Sequence, residues 1–263
     1  MHEQIDRLLQ SAELSIVEFD LHIRNEMKTF NRSLPFYVMS YHKIGEAILR
    51  VGEDVYKIKP GTVAIIPPNI EHDHYKETDE ETVFLWCHFT YELGNVIDVL
   101  KLFNFPITFN LKNSEEFERV FMQFKEINEK DNFLSKTILT KAKSHEMLYL
   151  LLESIMNSKN DLFQQSQSEC FLCMLTQFIK NPEKDLSLND LSSNRFKELF
   201  GKSPIQVQRE LKIDRAKKLL RSTQLSVTEI AHSLGFQGIP GFTRLFKSYV
   251  GISPSQFRTL NKR

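Results

Sequence analysis

The stretch at residues 225–254 constrains the fold most strongly, because it reads as a helix, a sharp turn, a second helix and a stop. Ser226 or Thr228 can cap the first helix, and Gly235 suits the left-handed residue that ends it. Pro240 fits the first turn of the second helix, where its missing N–H group costs nothing. The pattern predicts either a helix-turn-helix, whose second helix carries a basic edge suited to a DNA major groove, or an ordinary helical hairpin.

The distribution of charge favours the first alternative. Residues 201–263 hold twelve Lys or Arg against three Asp or Glu, a net charge of +9. Residues 1–200 hold 22 basic and 31 acidic groups, so overall neutrality hides two oppositely charged halves. A basic module can neutralise DNA phosphates and release their condensed counterions.

Length and composition limit the classes of protein to which the chain can belong. The chain of 263 residues is long enough for two or three domains, and 41% hydrophobic content permits real cores. Because it lacks a long apolar run and a secretion signal, we expect a cytoplasmic protein with no membrane partner. Three cysteines fit reduced thiols, and the CxxC of Cys170 and Cys173 lies in an apolar run, which favours buried helix thiols over a zinc site.

The N-terminal half shows the period of half-buried strands. Residues 16–23 alternate apolar and polar side chains, and further strand candidates follow at residues 36–41, 46–51, 55–58, 62–66 and 82–90. Turn residues separate them, and no helix is expected between them. Many short strands in succession predict a small antiparallel barrel or sandwich.

The last of these strands presents a mixed aromatic and polar face. Phe84, Trp86 and His88 point to one side of it. Such a face suits a polar ligand such as a sugar, which offers C–H groups for stacking and hydroxyls for hydrogen bonds; a core Trp beside a satisfied His is the alternative. His72 and His74, two residues apart in the preceding turn, could join His88 in a metal site, but spacing fixes no third ligand.

A helical region follows the strands. Apolar residues recur at helical spacing over residues 117–124, and Ser144 opens a segment that is apolar on nearly every side near its middle. This second helix is a candidate homodimer interface, with packing inside the domain as the alternative. Residues 157–168 have the composition of a linker and predict a domain boundary.

The sequence repeats itself near its C-terminus. Residues 186–191 match residues 225–230, and residues 196–204 match residues 246–254. We therefore expect two helix-turn-helix units joined by a helix over residues 206–220. A continuous helix rises about 1.5 Å per residue and can hold two helix-turn-helix units one DNA turn, roughly 34 Å, apart.

The two copies differ in length. The first spans 10 positions from Leu186 to Phe196, whereas the second spans 21 from Leu225 to Phe246, so the first is short by 11. The missing part corresponds to the end of one helix, the turn and the start of the recognition helix. Either the protein lacks its first reading head, or the sequence omits a loop of the natural chain. Peptide mass mapping across residues 190–197 would distinguish the two.

These features resemble the AraC/XylS family of bacterial transcription regulators over nearly the whole chain. Residues 235–258 resemble the C-terminal signature of the family, residues 210–220 its linker helix, and residues 43–75 the cupin-like barrel of its sugar-responsive members. The resemblance implies a multi-domain α+β protein. The implied protein has a cupin-like effector-binding β-barrel at 1–112, a helical dimerisation segment at 113–160 and an all-α DNA-binding domain with a double helix-turn-helix at 161–263.

The resemblance also assigns effector-binding residues. The barrel element with Gly, Pro-Pro and His falls on Gly61, Pro67, Pro68 and His72, and the sugar-stacking strand carries Trp86. The expected effector-binding set is Trp86, His72, His74, His88 and Arg32. Enzymatic cupins place a metal-binding His-x-His near residues 41–45, and this sequence has none there. We therefore expect no metal, no cofactor and no catalytic residue.

DNA-reading residues follow from the second recognition helix, which begins with Ile239, Pro240 and Gly241 instead of the usual polar residues. Pro240 and its neighbours offer apolar contact to thymine methyl groups. Base reading is expected from Gln237, Thr243 and Arg244. Phosphate contacts are expected from Lys247, Lys217 and Arg258.

The combined reading is a dimeric, ligand-responsive transcription regulator and not an enzyme. Its expected partners are duplex operator half-sites, a small polar effector with a sugar as the best candidate, and a second copy of the chain, with RNA polymerase as a further candidate. One alternative is a metal-dependent cupin enzyme. Another is a regulator whose barrel only dimerises.

Overall fold

A computed structural model describes residues 2–103, 105–129, 132–156, 174–177, 180–181 and 193–261. The chain divides into two compact units. One unit comprises Leu14–Tyr91 and Phe103–Phe163; the other comprises Met1–Glu13, Glu92–Leu102 and Gln164–Arg263. Within the described ranges, no helix is long and apolar enough to cross a membrane.

Short strands with alternating side chains build most of the N-terminal half. Among the described residues they are β1 (Ala12–Arg24), β2 (Lys28–Arg32), β3 (Tyr37–Ile44), β4 (Ala47–Val51), β5 (Asp54–Ile58), β6 (Thr62–Ile66), β7 (His72–Tyr75), β8 (Thr82–Leu93), β9 (Ile97–Asp98) and β10 (Thr108–Asn110). A helix, α1 (His2–Ser11), precedes the strands, and a 3-10 helix lies at Val99–Leu102.

The strands form two sheets that share a core. Within the described part of the chain, one sheet has the order β1-β8-β3-β6-β10, with β9 paired to β8, and the other has the order β2-β7-β4-β5. The pairs of β3 with β6 and β8, and of β4 with β5 and β7, are antiparallel. The buried residues of the shared core are Met27, Val38, Ala47, Leu49, Ile58, Ala64, Ile66 and Phe84. The predicted antiparallel barrel or sandwich is therefore confirmed.

The six predicted strands coincide with observed ones, but the pattern missed others. The predictions correspond to β1, β3, β4, β5, β6 and β8. The segment around His72 and His74, predicted as a turn, is strand β7, which pairs with β2 and β4. Its sequence lacks apolar alternation, so its extended form comes from the ladder hydrogen bonds of two neighbours. Helix α1 lies before the six predicted strands and the 3-10 helix at Val99–Leu102 lies after them, so neither interrupts the predicted series.

Two glycine turns, one between β3 and β4 and the other between β4 and β5, differ in their surroundings. Gly45 follows β3 with a φ of +77°, and a Cβ added there would lie 2.6 Å from the carbonyl oxygen of Glu81 and 2.9 Å from Cα of Thr82. Gly52, between β4 and β5, has a φ of +61° and no atom within 4 Å of such a Cβ. Only the first turn is closely packed.

Helix α2 (Ser114–Asn128) packs on the sheet that contains β3. Its rings contact rings of that sheet, with centroids 5.5 Å apart for Tyr41 and Phe117 and 5.9 Å apart for Phe19 and Phe121. The hydroxyl of Tyr41 donates to Glu118 Oε1 at 2.9 Å. The predicted periodicity over 117–124 therefore marks a buried helix face.

Helix α3 (Phe133–Met156) begins 11 residues before Ser144, where the sequence pattern had placed its start. The side chain of Asn132 accepts from the N–H of Ser135 at 2.9 Å and so caps the earlier start. The helix buries Met147, Leu148, Leu150, Leu151 and Ile155. On another side it exposes an apolar stripe, which consists of Leu134, Ile138, Tyr149 and Met156 with exposed fractions of 66%, 57%, 57% and 66%.

The C-terminal region is helical. From residue 193 onward the described helices are α4 (Ser193–Phe200), α5 (Pro204–Ser222), α6 (Val227–Ser233), α7 (Ile239–Val250) and α8 (Pro254–Asn261). The predicted helix over 206–220 is confirmed by α5. Helix α5 begins with a reciprocal capping box between Ser203 and Gln206.

Several predictions lie outside the described residues. These are the linker at 157–168, the thiols Cys170 and Cys173, and the first copy of the repeat at 186–191. The question of the shortened first helix-turn-helix therefore stays a prediction.

Candidate functional site

Helices α6 and α7 form the predicted helix-turn-helix. Of the two candidate caps, Ser226 is the one used: its Oγ accepts from Glu229 N at 3.1 Å, and Glu229 Oε2 accepts from Ser226 N at 2.7 Å. Gly235 follows α6 with a φ of +80°. Pro240 lies in the first turn of α7, as its missing N–H predicts.

A buried cluster fixes the angle between these helices. Phe242 and Phe246 of α7 are fully buried, with ring centroids 5.7 Å apart, and Phe257 of α8 lies 5.5 Å from Phe246. The remaining members come from α5, α6 and the C-cap of α6: Ile213, Ala216, Leu220, Ile230, Ala231 and Leu234. Because one face of α7 is held so firmly, the opposite face has a fixed orientation.

That opposite face carries the predicted DNA-reading side chains. Pro240, Arg244 and Lys247 are exposed on α7, Gln237 is exposed in the turn, and Thr243 is half-buried. The burial pattern matches a helix packed on one side and free on the other. Lys217, on α5, is half-buried.

Arg258 has a defined partner inside the domain. Its Nη2 donates to the carbonyl oxygen of Leu225 at 2.5 Å, which joins α8 to the residue before the cap of α6. Its side chain is half-buried. A phosphate contact by Arg258 stays a prediction and would use its other N–H groups.

The N-terminal domain contains a cavity of about 310 Å³ between its two sheets. Its wall consists of His22, Arg24, Glu26, Met27, Lys28, Thr29, Arg32, Val38, Ser40, His74, Phe84, Trp86 and His88. Four of the five predicted effector-binding residues line it: Trp86, His74, His88 and Arg32. The fifth, His72, is buried in β7, where its Nδ1 lies 3.0 Å from the carbonyl oxygen of Ile70.

The predicted face of β8 is the aromatic wall of this cavity. Phe84, Trp86 and His88 pair in register with His42, Ser40 and Val38 of β3. His22 of β1 packs across Trp86, with ring centroids 5.2 Å apart, and Trp86 packs on His88 at 4.7 Å. Sequence reasoning missed His22, although its place opposite the apolar positions of β1 was visible in the alternation.

A β-bulge in β2 brings Arg32 to the cavity. Thr29 pairs with His74 and Arg32 pairs with His72, so three steps on β2 oppose two on β7. Asn31, inside the bulge, has a φ of +51° and donates its N–H to Asp73 Oδ1 at 2.8 Å. Because of the extra residue, Arg32 shares the face of Thr29, which plain alternation would have given to residue 31.

Arg32 and His88 form the polar centre of the wall. Arg32 Nη2 lies 2.9 Å from His88 Nε2. A guanidinium only donates, so Nε2 accepts and the imidazole proton lies on Nδ1. That nitrogen is 3.5 Å from Glu18 Oε2, which is close enough for attraction but long for a hydrogen bond.

Burial keeps the histidines of this region neutral near pH 7. Desolvation lowers the pKa of His74 to about 3 and the pKa of His42 to about 4. Desolvation also lowers the pKa values of His22, His72 and His88. In the cavity wall, Trp86 Nε1 and His74 Nε2 are buried without a hydrogen-bond partner in the described part of the chain. Such atoms are costly unless something else satisfies them.

Lys76, which directly follows β7, anchors the backbone of Arg24, a residue of the cavity wall. It is 8% exposed, and its Nζ donates to the carbonyl oxygens of Arg24 and Asn25 at 3.2 Å each. The same ammonium also donates to the carbonyl oxygen of Glu80. It therefore ties the segment before β2 to the turn before β8.

Metal ligation finds no support in these ranges. Among the residues that the structure describes, no group of three or more His, Cys, Asp or Glu side chains is placed to hold a metal ion. His42 and His74 approach each other, with ring centroids 5.3 Å apart, but no third ligand from the described part of the chain joins them.

Two family models match the chain. The model of the AraC-like ligand binding domain matches residues 22–142, which include the cavity wall. The model of the helix-turn-helix domain matches residues 191–259, which include α6 and α7. Together the two models take in well over half of the chain.

Proteins with similar sequences over most of their length are named as transcriptional regulators. The HTH-type transcriptional regulator YfiF of Bacillus subtilis is 26% identical over 100% of this chain and 89% of its own. The regulator YisR of the same species is 25% identical over 88% of each chain. Among solved structures, unsaturated fatty acid bound ToxT from Vibrio cholerae is 14% identical, covers 92% of this chain and 95% of its own, and gives a TM-score of 0.36. The two family models and the sequence relatives agree, and the chain belongs to the AraC/XylS family of DNA-binding transcription regulators.

Proposed function

We propose that a small polar effector, with a sugar as the first candidate, binds the cavity of the N-terminal domain and changes how tightly the C-terminal domain binds its operator. The observation that carries this proposal is the combination of rings and unpaired polar atoms in one wall. Trp86, Phe84 and His22 offer flat apolar area, while Trp86 Nε1 and His74 Nε2 lack partners among the described residues. A sugar presents C–H faces to the rings and hydroxyls to the nitrogens.

Operator reading is proposed for α7 and the turn before it. Arg244 and Gln237 can hydrogen-bond base edges, and Pro240 can contact thymine methyl groups. Lys247 is exposed beside them for phosphate contact. The C-terminal excess of basic residues supports the same assignment, because each phosphate neutralised releases counterions.

Dimerisation is proposed through the exposed apolar stripe of α3. Leu134, Ile138, Tyr149 and Met156 follow spacings of 4, 11 and 7 residues, which place them on one side of a helix. An exposed stripe of this kind is unusual on a monomer and suits a two-fold interface, in which the same surface is used twice. A contact with RNA polymerase is a further proposal, to which no residue is assigned.

Effector binding can alter operator affinity only through a difference in its affinity for two states of the protein. An effector that stabilises the DNA-binding state raises the affinity of the protein for its operator. One that prefers the other state releases the operator.

A fluorescence titration tests the proposal directly, since Trp86 is the single Trp of the chain and lies in the cavity wall. We expect one or more of a panel of mono- and disaccharides to change its emission and to raise the melting temperature. The same compound should shift the mobility of an operator obtained by selection from random duplex DNA. Phe30→Ala, which removes an exposed ring from β2, is the control and should bind as the parent does. A panel without any response would contradict the sugar assignment.

A further inference from the structure

Arg32 is a partly buried cation that pairs with no carboxylate among the described residues. Desolvation lowers the pKa of its guanidinium, which remains charged at neutral pH. Its hydrogen bond in the described part of the chain is to the imidazole of His88, a neutral acceptor. Taking a charge out of water is unfavourable unless an opposite charge or several acceptors compensate it. One neutral nitrogen does not compensate a guanidinium that has five N–H donors.

The charged groups around Arg32 leave the cavity positive. Glu18 attracts Arg32, but its carboxylate lies behind His88 and is 65% exposed. Glu26 lines the cavity beside Lys28, and their charged atoms lie 3.7 Å apart on exposed side chains. Arg24 adds another positive charge to the wall. Asp73, the nearest acid on β7, faces Arg50 at 3.6 Å on the other side of the sheet.

The bulge makes the placement of Arg32 a built feature of the site. The turn of Asn31 into a positive φ directs the next side chain to the face of Thr29 and His74. Trp86 Nε1, a group that can only donate, lies in the same wall without a partner among the described residues. Arg32 and the Trp86 side chain therefore bring two donor groups to one wall of the cavity. Their common complement is a group with several acceptor oxygens and a negative charge.

We propose that the effector carries an anionic group, a carboxylate or a phosphate monoester, which Arg32 binds inside the cavity while the aromatic wall receives the carbohydrate part. This inference rests on the proposed function, because it specifies the effector of the same cavity. The planar guanidinium can donate two parallel hydrogen bonds to the oxygens of such a group, and these bonds are stronger than those to a neutral hydroxyl. A sugar acid or a sugar phosphate has this chemistry.

The test compares matched ligands by Trp86 fluorescence and calorimetry on the full chain. One arm contains neutral hexoses, a second the corresponding uronic acids, a third the hexose 6-phosphates and a fourth benzoate, an anion without a carbohydrate part. We expect an acid or a phosphate to bind about 10- to 100-fold more tightly than its neutral counterpart. The second and third arms distinguish a carboxylate from a phosphate as the bound group.

Arg32→Gln should abolish the preference for the charged ligand and leave binding of the neutral hexose within about threefold. Arg50→Gln is the matched control on the outer face of β4 in the same sheet, and it should keep the preference. Equal binding of neutral and charged sugars would overturn the anionic group and leave the proposed function standing. Binding of benzoate without any sugar would support the anion and contradict the carbohydrate. A response to none of the four arms would contradict both.

Discussion

His42 and Gly45 illustrate how single residues set the stability of the N-terminal domain. His42 is fully buried and stacks on Phe84, with ring centroids 5.2 Å apart, yet its two ring nitrogens have no hydrogen-bond partner among the described residues. Gly45 occupies a turn that leaves no room for a side chain. One residue therefore makes stability depend on pH, and the other makes it depend on a single methyl group.

The buried imidazole of His42 should make the domain sensitive to acid. Its pKa is about 4 in the folded protein against 6.5 in the unfolded chain, so the unfolded chain binds the proton more readily between these values. Stability is then lost as the pH falls from about 6.5 towards about 4. Between pH 7.5 and pH 5 the loss from this residue is about 2 kcal/mol. Urea unfolding followed by Trp86 fluorescence measures it.

His42→Phe should remove the share of the acid sensitivity that comes from His42, because the ring still stacks on Phe84 but no longer titrates, while the share that comes from His74 should remain. His145→Gln replaces an exposed histidine of α3 and serves as the control. An unchanged dependence of stability on pH in His42→Phe would refute this role.

Gly45→Ala should destabilise the domain by at least about 2 kcal/mol, because the new Cβ meets backbone atoms and the positive φ is itself unfavourable for alanine. Gly52→Ala has a similar φ and open space, so it should cost only about 1 kcal/mol. Urea unfolding of both variants gives the comparison. Equal losses would mean that the packing around Gly45 is not what makes it necessary.

At the scale of elements, the sequence predicts those whose pattern is local. The alternation of β8 places Phe84, Trp86 and His88 on the cavity side, as the register confirms. It does not predict β7, whose extended form depends on pairing with distant strands. Nor does it predict the bulge at Asn31, because a shift in register is defined only against the partner strand. Arg32 could therefore be assigned only by family resemblance.

Helix α7 should separate base reading from phosphate binding. Arg244→Ala should reduce discrimination between operator and scrambled DNA by about 1–3 kcal/mol, because it removes a donor to base edges. Lys247→Ala should weaken binding to both DNAs by the same factor, since phosphates carry no sequence information. Gel-shift titrations measure both. If Arg244→Ala weakened binding to both DNAs equally, Arg244 would be a phosphate contact instead.

At the scale of the whole molecule, the chain is organised by sign of charge and by its two compact units. The acidic majority lies in residues 1–200 and the basic majority in residues 201–263. A single helix-turn-helix covers a short DNA site, so a second copy of the chain would provide a second reading head at a defined spacing. The proposed dimer would therefore add to operator affinity without any new contact by α7.

The double variant Ile138→Glu with Tyr149→Glu should make the protein monomeric, because it introduces two charges into the apolar stripe of α3. Analytical ultracentrifugation reports the mass, and a gel shift on a two-site operator should show a parallel loss of affinity. Met122→Glu, on an exposed position of α2, is the control. A dimer that persists in the double variant would place the interface elsewhere.

The three carbonyl oxygens that accept hydrogen bonds from Lys76 protect its amine from chemical modification. An amine that donates to three carbonyl oxygens and is almost excluded from solvent cannot react with an acylating reagent while these hydrogen bonds are formed. Its nucleophilicity appears only when the segment at Arg24 and Asn25 separates from the turn at Glu80. The rate at which Lys76 becomes acylated therefore measures how often this part of the cavity wall opens.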